Sequence, residues 1–358
     1  MNGFEPNLLL SVYKVFGLST LAFFLAIFMT PSLTYYLYKH KMWKKTSGKK
    51  AIGGGDAVIF NKLHKTKETG TPRMGGILIW ASTLIIILLF WALSRYVDGP
   101  VFNKLNFLSK NQTWIPLFTL VSASLLGLLD DLSQIWGTGK YFSGGIPLIT
   151  RVLVVTAIGL VGALWFYIKL ENNTIYIPGY GDLFIGIFYI PFFIFTMLAT
   201  FSGGVIDGID GLAGGVFVSA FASYTGIAFF QNQIDIATFS AVIVGGILAF
   251  LWFNIPPARF YMGETGALGL TTTLAVLAFL TDSVIVLPII AFPLVLAAGS
   301  DIIQVVSKKF FGRKVFLVAP IHHHFEALGW PSYKVTMRFW IISVICGILG
   351  MVIALVGR

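Results

Sequence analysis

The chain has 358 residues, of which 56% are hydrophobic and only 11% charged, with a formal net charge of +10. A soluble protein of this length would carry about a quarter charged residues, so the composition excludes a water-soluble globular protein and points to a polytopic membrane protein. The single cysteine, Cys346, excludes a disulfide framework and a cysteine-based metal site, and the positive charge reads as loops meeting lipid headgroups rather than as a nucleic-acid surface.

Ten apolar stretches of roughly 20 residues follow one another, enough for an all-α integral membrane protein of ten transmembrane helices. They run over 16–38, 75–95, 113–130, 146–168, 184–205, 211–230, 236–254, 265–281, 283–306 and 335–356. The first has no small-residue cleavage site behind it and is expected to be a retained span. Only Asp282 separates the eighth from the ninth, which predicts a tight turn. Pro288 and Pro293 predict a bend inside the ninth.

Orientation follows from Lys and Arg. The loop after span one carries ten of them, from Lys39 to Arg73, and the loop after span nine carries Lys308, Lys309, Arg313, Lys314 and Lys334. The loops after even-numbered spans are poorer: Arg95, Lys104 and Lys110 in one, Lys169 in another. The odd-to-even loops are therefore expected in the cytoplasm and both termini on the periplasmic or extracellular side. No repeat or separate soluble domain is visible. The chain reads as one transmembrane domain over 1–358, with cytoplasmic loops at 39–74, 131–145, 206–211, 255–264 and 307–334. The Gly-rich stretch "AIGGGDAV" (51–58) matches no nucleotide-binding loop and reads as a turn.

The acidic residues carry the chemistry by their location. Asp130 and Asp131 end the third span, Asp207 and Asp210 ("DGIDG") lie between spans five and six, and Glu264 precedes span eight. By the topology above all of these are cytoplasmic, as is the triplet His322, His323 and His324. Acids at span ends are expensive to bury and usually line a polar cavity. Two carboxylates about 4 Å apart repel by about 4 kcal/mol at an effective dielectric near 20, so clustered acids call for a cation, and hard oxygen donors favour Mg²⁺. Lysines and arginines nearby supply the complementary half of a phosphate site. Acids, bases and histidines on one membrane face point to phosphoryl transfer.

Five stretches sharpen this: "GTPRMGGI" (70–77), "LLGLLDDL" (125–132), "DGIDGLAGG" (207–215), "WFNIPPARFYMGETGAL" (252–268) and "APIHHHFEALGWPSYKVTMRFW" (319–340). With them the chain resembles, almost end to end, the phospho-N-acetylmuramoyl-pentapeptide transferase (MraY) family of polyprenyl-phosphate hexosamine-1-phosphate transferases. The resemblance implies an Mg²⁺-dependent enzyme of peptidoglycan synthesis in the bacterial cytoplasmic (inner) membrane. Its substrates would be UDP-N-acetylmuramoyl-pentapeptide and undecaprenyl phosphate, its products lipid I and UMP; homodimers are common in the family, and no nucleic acid is involved. By matching positions, it implies catalytic roles for Asp130, Asp131, Glu264 and His323, with Glu264 and Asp131 on the metal. It implies substrate contacts for Lys67, Thr71, Asp207, Asp210, Asn254, Tyr261, Gln304, His322 and His324. Three departures stand out. Glu264 replaces the family's usual Asp, Arg73 stands where Thr is usual, and the lysine after the third span has only Lys140 as a counterpart. A transferase for another UDP-hexosamine is the alternative within the superfamily, against which the histidine motif argues. A lipid or solute transporter is the alternative of another class, and acids at one surface rather than at the midplane argue against it.

Overall fold

The computed structural model describes residues 6–45, 69–97, 99–108, 113–137 and 145–358. Lys67, Lys140 and the Gly-rich stretch 51–58 lie outside the described residues, as do parts of the expected loops 39–74 and 131–145. The architecture is mostly helical. The helices are α1 (Pro6–Val12), α2 (Leu18–Lys39), α3 (Ile77–Tyr96), α4 (Pro100–Leu105), α5 (Trp114–Trp136), α6 (Leu148–Leu164) and α7 (Tyr189–Ser202). They continue as α8 (Leu212–Phe230), α9 (Ile234–Asn254), α10 (Gly263–Leu280), α11 (Leu287–Ile290), α12 (Phe292–Phe311), α13 (Ile321–Ala327) and α14 (Ser332–Val356).

Among the described residues, nine helical segments are long and apolar enough to cross a membrane, or ten if one bent pair counts as a span. That pair is the ninth expected stretch, and it bends where its two prolines predict. It is not one continuous helix: Val284–Ile290 and Phe292–Phe311 meet at 80° around Ala291. Pro288 and Pro293 stand near the start of each half, where a missing N–H breaks no bond, so the break falls between them. The chain is mostly helical, in keeping with the all-α expectation, and one short element is not. An antiparallel hairpin, β1 (Thr174–Ile177) and β2 (Gly181–Phe184), follows α6, with Ile175 paired to Leu183. It is tied to the end of α14, where the Gly357 carbonyl accepts from Gly179 N–H at 2.8 Å and from the Tyr176 hydroxyl at 2.5 Å.

The centre of the bundle is α10, 94% of which is buried. Lipid tails are as apolar as leucine, so packing between spans relies on close backbone approach and on polar groups that find partners inside the bundle. Both are present. Gly127 of α5 lies against the backbone of Glu264, where any side chain would collide with the Glu264 carbonyl. Thr265 donates its hydroxyl to the Ser124 carbonyl at 3.0 Å across the same contact. Thr271, Thr272 and Thr281 return their hydroxyls to carbonyls four residues earlier, so these buried groups are satisfied within the helix. Elsewhere Lys14 pairs with Asp235 at 2.7 Å and donates to the Asn106 carbonyl at 2.9 Å, which joins the first helical segment to α9.

α10 also sets the two ends of the molecule apart. Its 18 residues span about 27 Å at 1.5 Å per residue. Glu264 stands in its first turn. Beyond its other end lies the Thr281–Ser283 turn, where the Thr281 carbonyl accepts from Arg358 at 3.1 Å. The turn around Asp282 is as tight as expected, with Asp282 itself at φ 47°. The turns after α6 and α10 and the end of α14 therefore share one end of the bundle, and the acidic residues discussed next share the other.

Candidate active site

Asp130 and Asp131 occupy consecutive positions one turn and a half before the end of α5, and both are buried. They do different jobs. Asp131 accepts from the backbone N–H of Glu264 at 3.1 Å and of Thr265 at 3.0 Å, one on each oxygen. It thus caps α10 from a neighbouring helix, using the orphan donors and positive end that every helix N-terminus presents. Asp130 accepts from Ile146 N–H at 2.5 Å and from the Gln134 amide at 2.8 Å, which fixes the start of α6 against α5. Gln134 in turn accepts from Arg73 through its other end.

Two arginines supply the charge. Arg151 Nη1, in the first turn of α6, lies 3.2 Å from Glu264 Oε1 and 3.5 Å from Asp130 Oδ2. Arg73 Nη1 lies 4.0 Å from Asp131 Oδ1. Three carboxylates therefore face two guanidiniums, a formal charge of −1 in a largely buried cluster. Glu264 is the most accessible of the acids, with its side chain 32% exposed.

The Asp207–Asp210 turn is braced against the same end of α10. Asp207 accepts from Gly263 N–H at 3.1 Å, and Asp210 from Ala258 N–H at 3.2 Å. Asn254 is a brace as well: its carbonyl oxygen accepts from Gly211 N–H at 3.0 Å and its amide donates to the Phe260 carbonyl at 2.8 Å. Tyr261 is half-buried beside Thr71, whose hydroxyl is its side-chain partner. Burial, with help from the Asp210 carboxylate, pushes the Tyr261 phenol up to about 12, so it is neutral at physiological pH. Its backbone joins the 70–77 stretch, taking Pro72 O at 2.8 Å and accepting from Gly75 N–H at 2.8 Å.

The histidines sit on α13 and complete the cluster from another side. His322 and His323 are buried, with ring centroids 4.3 Å apart. Their Nε2 atoms converge on Gly208: a Cβ there would lie 2.6 Å from one and 2.7 Å from the other. His323 Nδ1 lies 2.7 Å from Glu326 Oε2. His324 turns away from Gly208, accepting from Leu317 N–H at 3.2 Å. Gln304 also serves this outer loop, accepting from Val315 and Phe316 N–H at 3.0 Å each and donating to the Phe316 carbonyl at 2.9 Å.

The structure thus brings Asp130, Asp131, Asp207, Asp210, Glu264, Tyr261, Thr71, His322 and His323 to one end of the bundle. Asn254 stands behind that surface, and Gln304 and His324 flank it. Lys67 lies outside the described residues. Sequence reasoning missed Arg151, Gln134, Glu326 and Ser332. Arg151 carried a usable signal, since a charge inside an apolar span is expensive and marks a polar partner.

Among the described residues no group of three or more His, Cys, Asp or Glu side chains is arranged around a common metal position. The donors nonetheless fit Mg²⁺. That ion is usually held by one or two carboxylates and completed by water and substrate phosphates. Glu264 is partly exposed, and Asp131 has lone pairs left beyond the two that accept N–H groups.

The model of glycosyl transferase family 4 matches residues 113–282, from α5 through α10. A phospho-N-acetylmuramoyl-pentapeptide-transferase of Pelagibacter ubique is 35% identical over 307 residues, covering 80% of this chain and 81% of its own. One from a Thermoanaerobacter species is 33% identical over 335 residues, covering 93% and 96%, and one from a Geobacillus species is 36% identical over 299, covering 82% and 86%. With relatives this similar along most of its length and the acids and histidines of its motifs gathered at one end, the chain belongs to the phospho-N-acetylmuramoyl-pentapeptide transferase family.

Proposed function

We propose that the chain transfers phospho-N-acetylmuramoyl-pentapeptide from its UDP conjugate to undecaprenyl phosphate at the cytoplasmic face of a bacterial inner membrane. A phosphate oxygen of the lipid attacks the β-phosphorus of the nucleotide sugar. The bond from that phosphorus to the bridging oxygen breaks, and UMP leaves. The observation that carries this reading is the convergence of Asp130, Asp131, Glu264 and Arg151 on the end of α10, beside the His322–His323 pair.

Each residue has a task in that reading. Glu264 and Asp131 would hold Mg²⁺. When bound, the metal offsets charge that builds on the diphosphate. Arg151 and Arg73 offset the charge of the clustered carboxylates and give the phosphates a cationic wall. Asp130 lies beside Arg151 and orients the lipid phosphate, which is already largely ionised at neutral pH, so alignment matters more than proton removal. His323 meets the diphosphate. Tyr261 and Thr71 form the nucleoside side, with the neutral phenol ring under the base. Asp207 and Asp210 shape that wall through their bonds to the α9–α10 connection. Lys67, His322 and His324 complete the substrate-binding set, and Asn254 and Gln304 support it by holding the loop backbone behind it.

The test is UMP release by purified protein in detergent, given undecaprenyl phosphate, UDP-N-acetylmuramoyl-pentapeptide and Mg²⁺. UMP that forms only with both substrates and the metal supports the assignment. A folded sample that binds the nucleotide sugar yet releases no UMP sinks it. UDP-N-acetylglucosamine in place of the donor separates this activity from that of the superfamily's other branch.

A further inference from the structure

Glu326 is buried, at 7% exposure, on a seven-residue helix otherwise occupied by histidines and apolar residues. It lies three positions after His323 and therefore on the same helix face. Its two oxygens are both engaged. Oε2 is 2.7 Å from His323 Nδ1, and Oε1 accepts from the Ser332 hydroxyl at 2.6 Å. Ser332 opens the next helix, α14, so the carboxylate is gripped from both sides of the α13–α14 connection. At the far side of the imidazole, Nε2 points to Gly208, in the turn that carries Asp207 and Asp210. The order is hydroxyl, carboxylate, imidazole and then the acid-bearing turn.

An ionised carboxylate only accepts, so with Glu326 ionised the short contact places the proton on Nδ1. With Nδ1–H committed, Nε2 is left facing the turn, and the ring cannot rotate without abandoning a buried carboxylate. A neutral Nε2 offers an anionic oxygen nothing. Once it takes a proton from solvent, the ring becomes a cation with Glu326 on one side and an anion on the other. A carboxylate behind a histidine stabilises such an imidazolium without itself becoming protonated.

We propose that Glu326 is a positioning residue for His323, aiming Nε2 at the Asp207–Gly208 turn and balancing the imidazolium that contacts the diphosphate of the nucleotide sugar. Ser332 fixes the rotamer of that carboxylate. The inference rests on the role of His323 proposed above, and its test separates the two.

The experiment is ¹⁵N-histidine labelling of the full-length protein in detergent, with UDP-N-acetylmuramoyl-pentapeptide bound and no lipid acceptor. The His323 signal is assigned by its absence in His323→Gln. In the wild type, His323 is expected doubly protonated in this complex; a neutral ring there overturns the proposal whatever the variants do. In Glu326→Gln the ring is expected to be neutral. Its kcat should fall about tenfold to a hundredfold, by analogy with the loss when a carboxylate that orients a metal-bound histidine is removed, with KM for the nucleotide sugar changed less. Glu326→Asp should restore part of both the signal and kcat. The double variant His323→Gln/Glu326→Gln should be no slower than His323→Gln alone, because Glu326 acts through the ring. Loss of kcat in Glu326→Gln with the doubly protonated signal intact would reduce Glu326 to a structural group. If His323→Gln is impaired and Glu326→Gln is not, this proposal fails while the role of His323 stands. If His323→Gln is fully active, both fail.

Discussion

Arg151 and Glu264 come from different spans, α6 and α10, yet Arg151 Nη1 lies 3.2 Å from Glu264 Oε1 and reaches Asp130 on α5 as well. One guanidinium therefore ties three helices together at the end where the acids gather. Arg151→Met leaves a buried Asp130 without this cation. Removing one partner of a buried pair costs about 3–5 kcal/mol, and the lower end applies because Glu264 is a third exposed. Arg151→Lys restores the charge but not the planar fork that serves two carboxylates. The expected order of thermal stability in detergent is wild type, then Lys, then Met, and UMP release should follow the same order. Equal stability of all three would show that the arginine carries no structural charge.

Gly208 is the place where the histidine helix and the acid-bearing turn come closest. Gly208→Ala would set a methyl group 2.6–2.7 Å from two imidazole nitrogens, closer than real contacts allow, so α13 or the turn must shift. A shift of about 1 Å at a reacting site can cost about a hundredfold in rate, and that is the loss expected in kcat. Gly299→Ala on α12 is the matched control, since nothing lies within 4 Å of its added methyl. It should keep wild-type activity, with stability raised by about 0.4–1 kcal/mol through a stiffer unfolded chain. Retained activity in Gly208→Ala would mean that the two histidines do not need their observed positions.

The helices and the location of the acids were legible because lipid imposes a simple rule: apolar runs of about 20 residues cross, and charges collect at their ends. The tight turn at Asp282 could be read from its spacing alone. The 80° break was anticipated only as a bend, because two prolines announce an interruption but not its angle. The hairpin at 174–184 was absorbed into the gap between two spans, being too short to signal itself against them. Within the site, the motif residues were found by type, but their division of labour was hidden. Asn254 and Gln304 read as substrate contacts, and each uses its amide to hold loop backbone. No pattern in one sequence says whether an amide faces a ligand or its own chain. Arg151 was passed over because it sits inside an apolar stretch, while Lys140 in a polar loop drew attention.

Tyr261 gives a pH prediction. Its phenol is raised from the ordinary 10 to about 12, first by burial and then by Asp210. The hydroxyl therefore stays protonated through any practical assay range. Tyr261→Phe should raise KM for the nucleotide sugar without altering the shape of the kcat profile between about pH 7 and 9. The sign for stability is opposite to that of a depressed carboxylate. Unfolded chains release this proton near pH 10 and folded ones hold it to about 12, so the wild type loses stability as pH rises through that window. The difference in melting temperature between wild type and Tyr261→Phe should shift in favour of the variant above pH 10. A difference that is constant with pH would contradict the burial of the phenol.

Arg73 bears on metal affinity. It stands 4.0 Å from Asp131 Oδ1, one of the carboxylates proposed to hold Mg²⁺. A fixed cation beside a metal site repels the metal; two unit charges about 4 Å apart interact by about 4 kcal/mol at an effective dielectric near 20. Distance and screening reduce this to an expected tenfold change, or ~1.4 kcal/mol. Arg73→Thr should therefore bind Mn²⁺, used as a paramagnetic stand-in for Mg²⁺, about tenfold more tightly in a titration followed by electron paramagnetic resonance. Glu264→Gln, which removes the most accessible of the carboxylates, should weaken the same binding. Activity should vanish on chelation in both the wild type and Arg73→Thr and return with added Mg²⁺, at a lower concentration for the variant. If Arg73→Thr binds Mn²⁺ no more tightly than the wild type, Arg73 does not compete with the metal, and its hydrogen bond to Gln134 is the remaining account of its place beside α5.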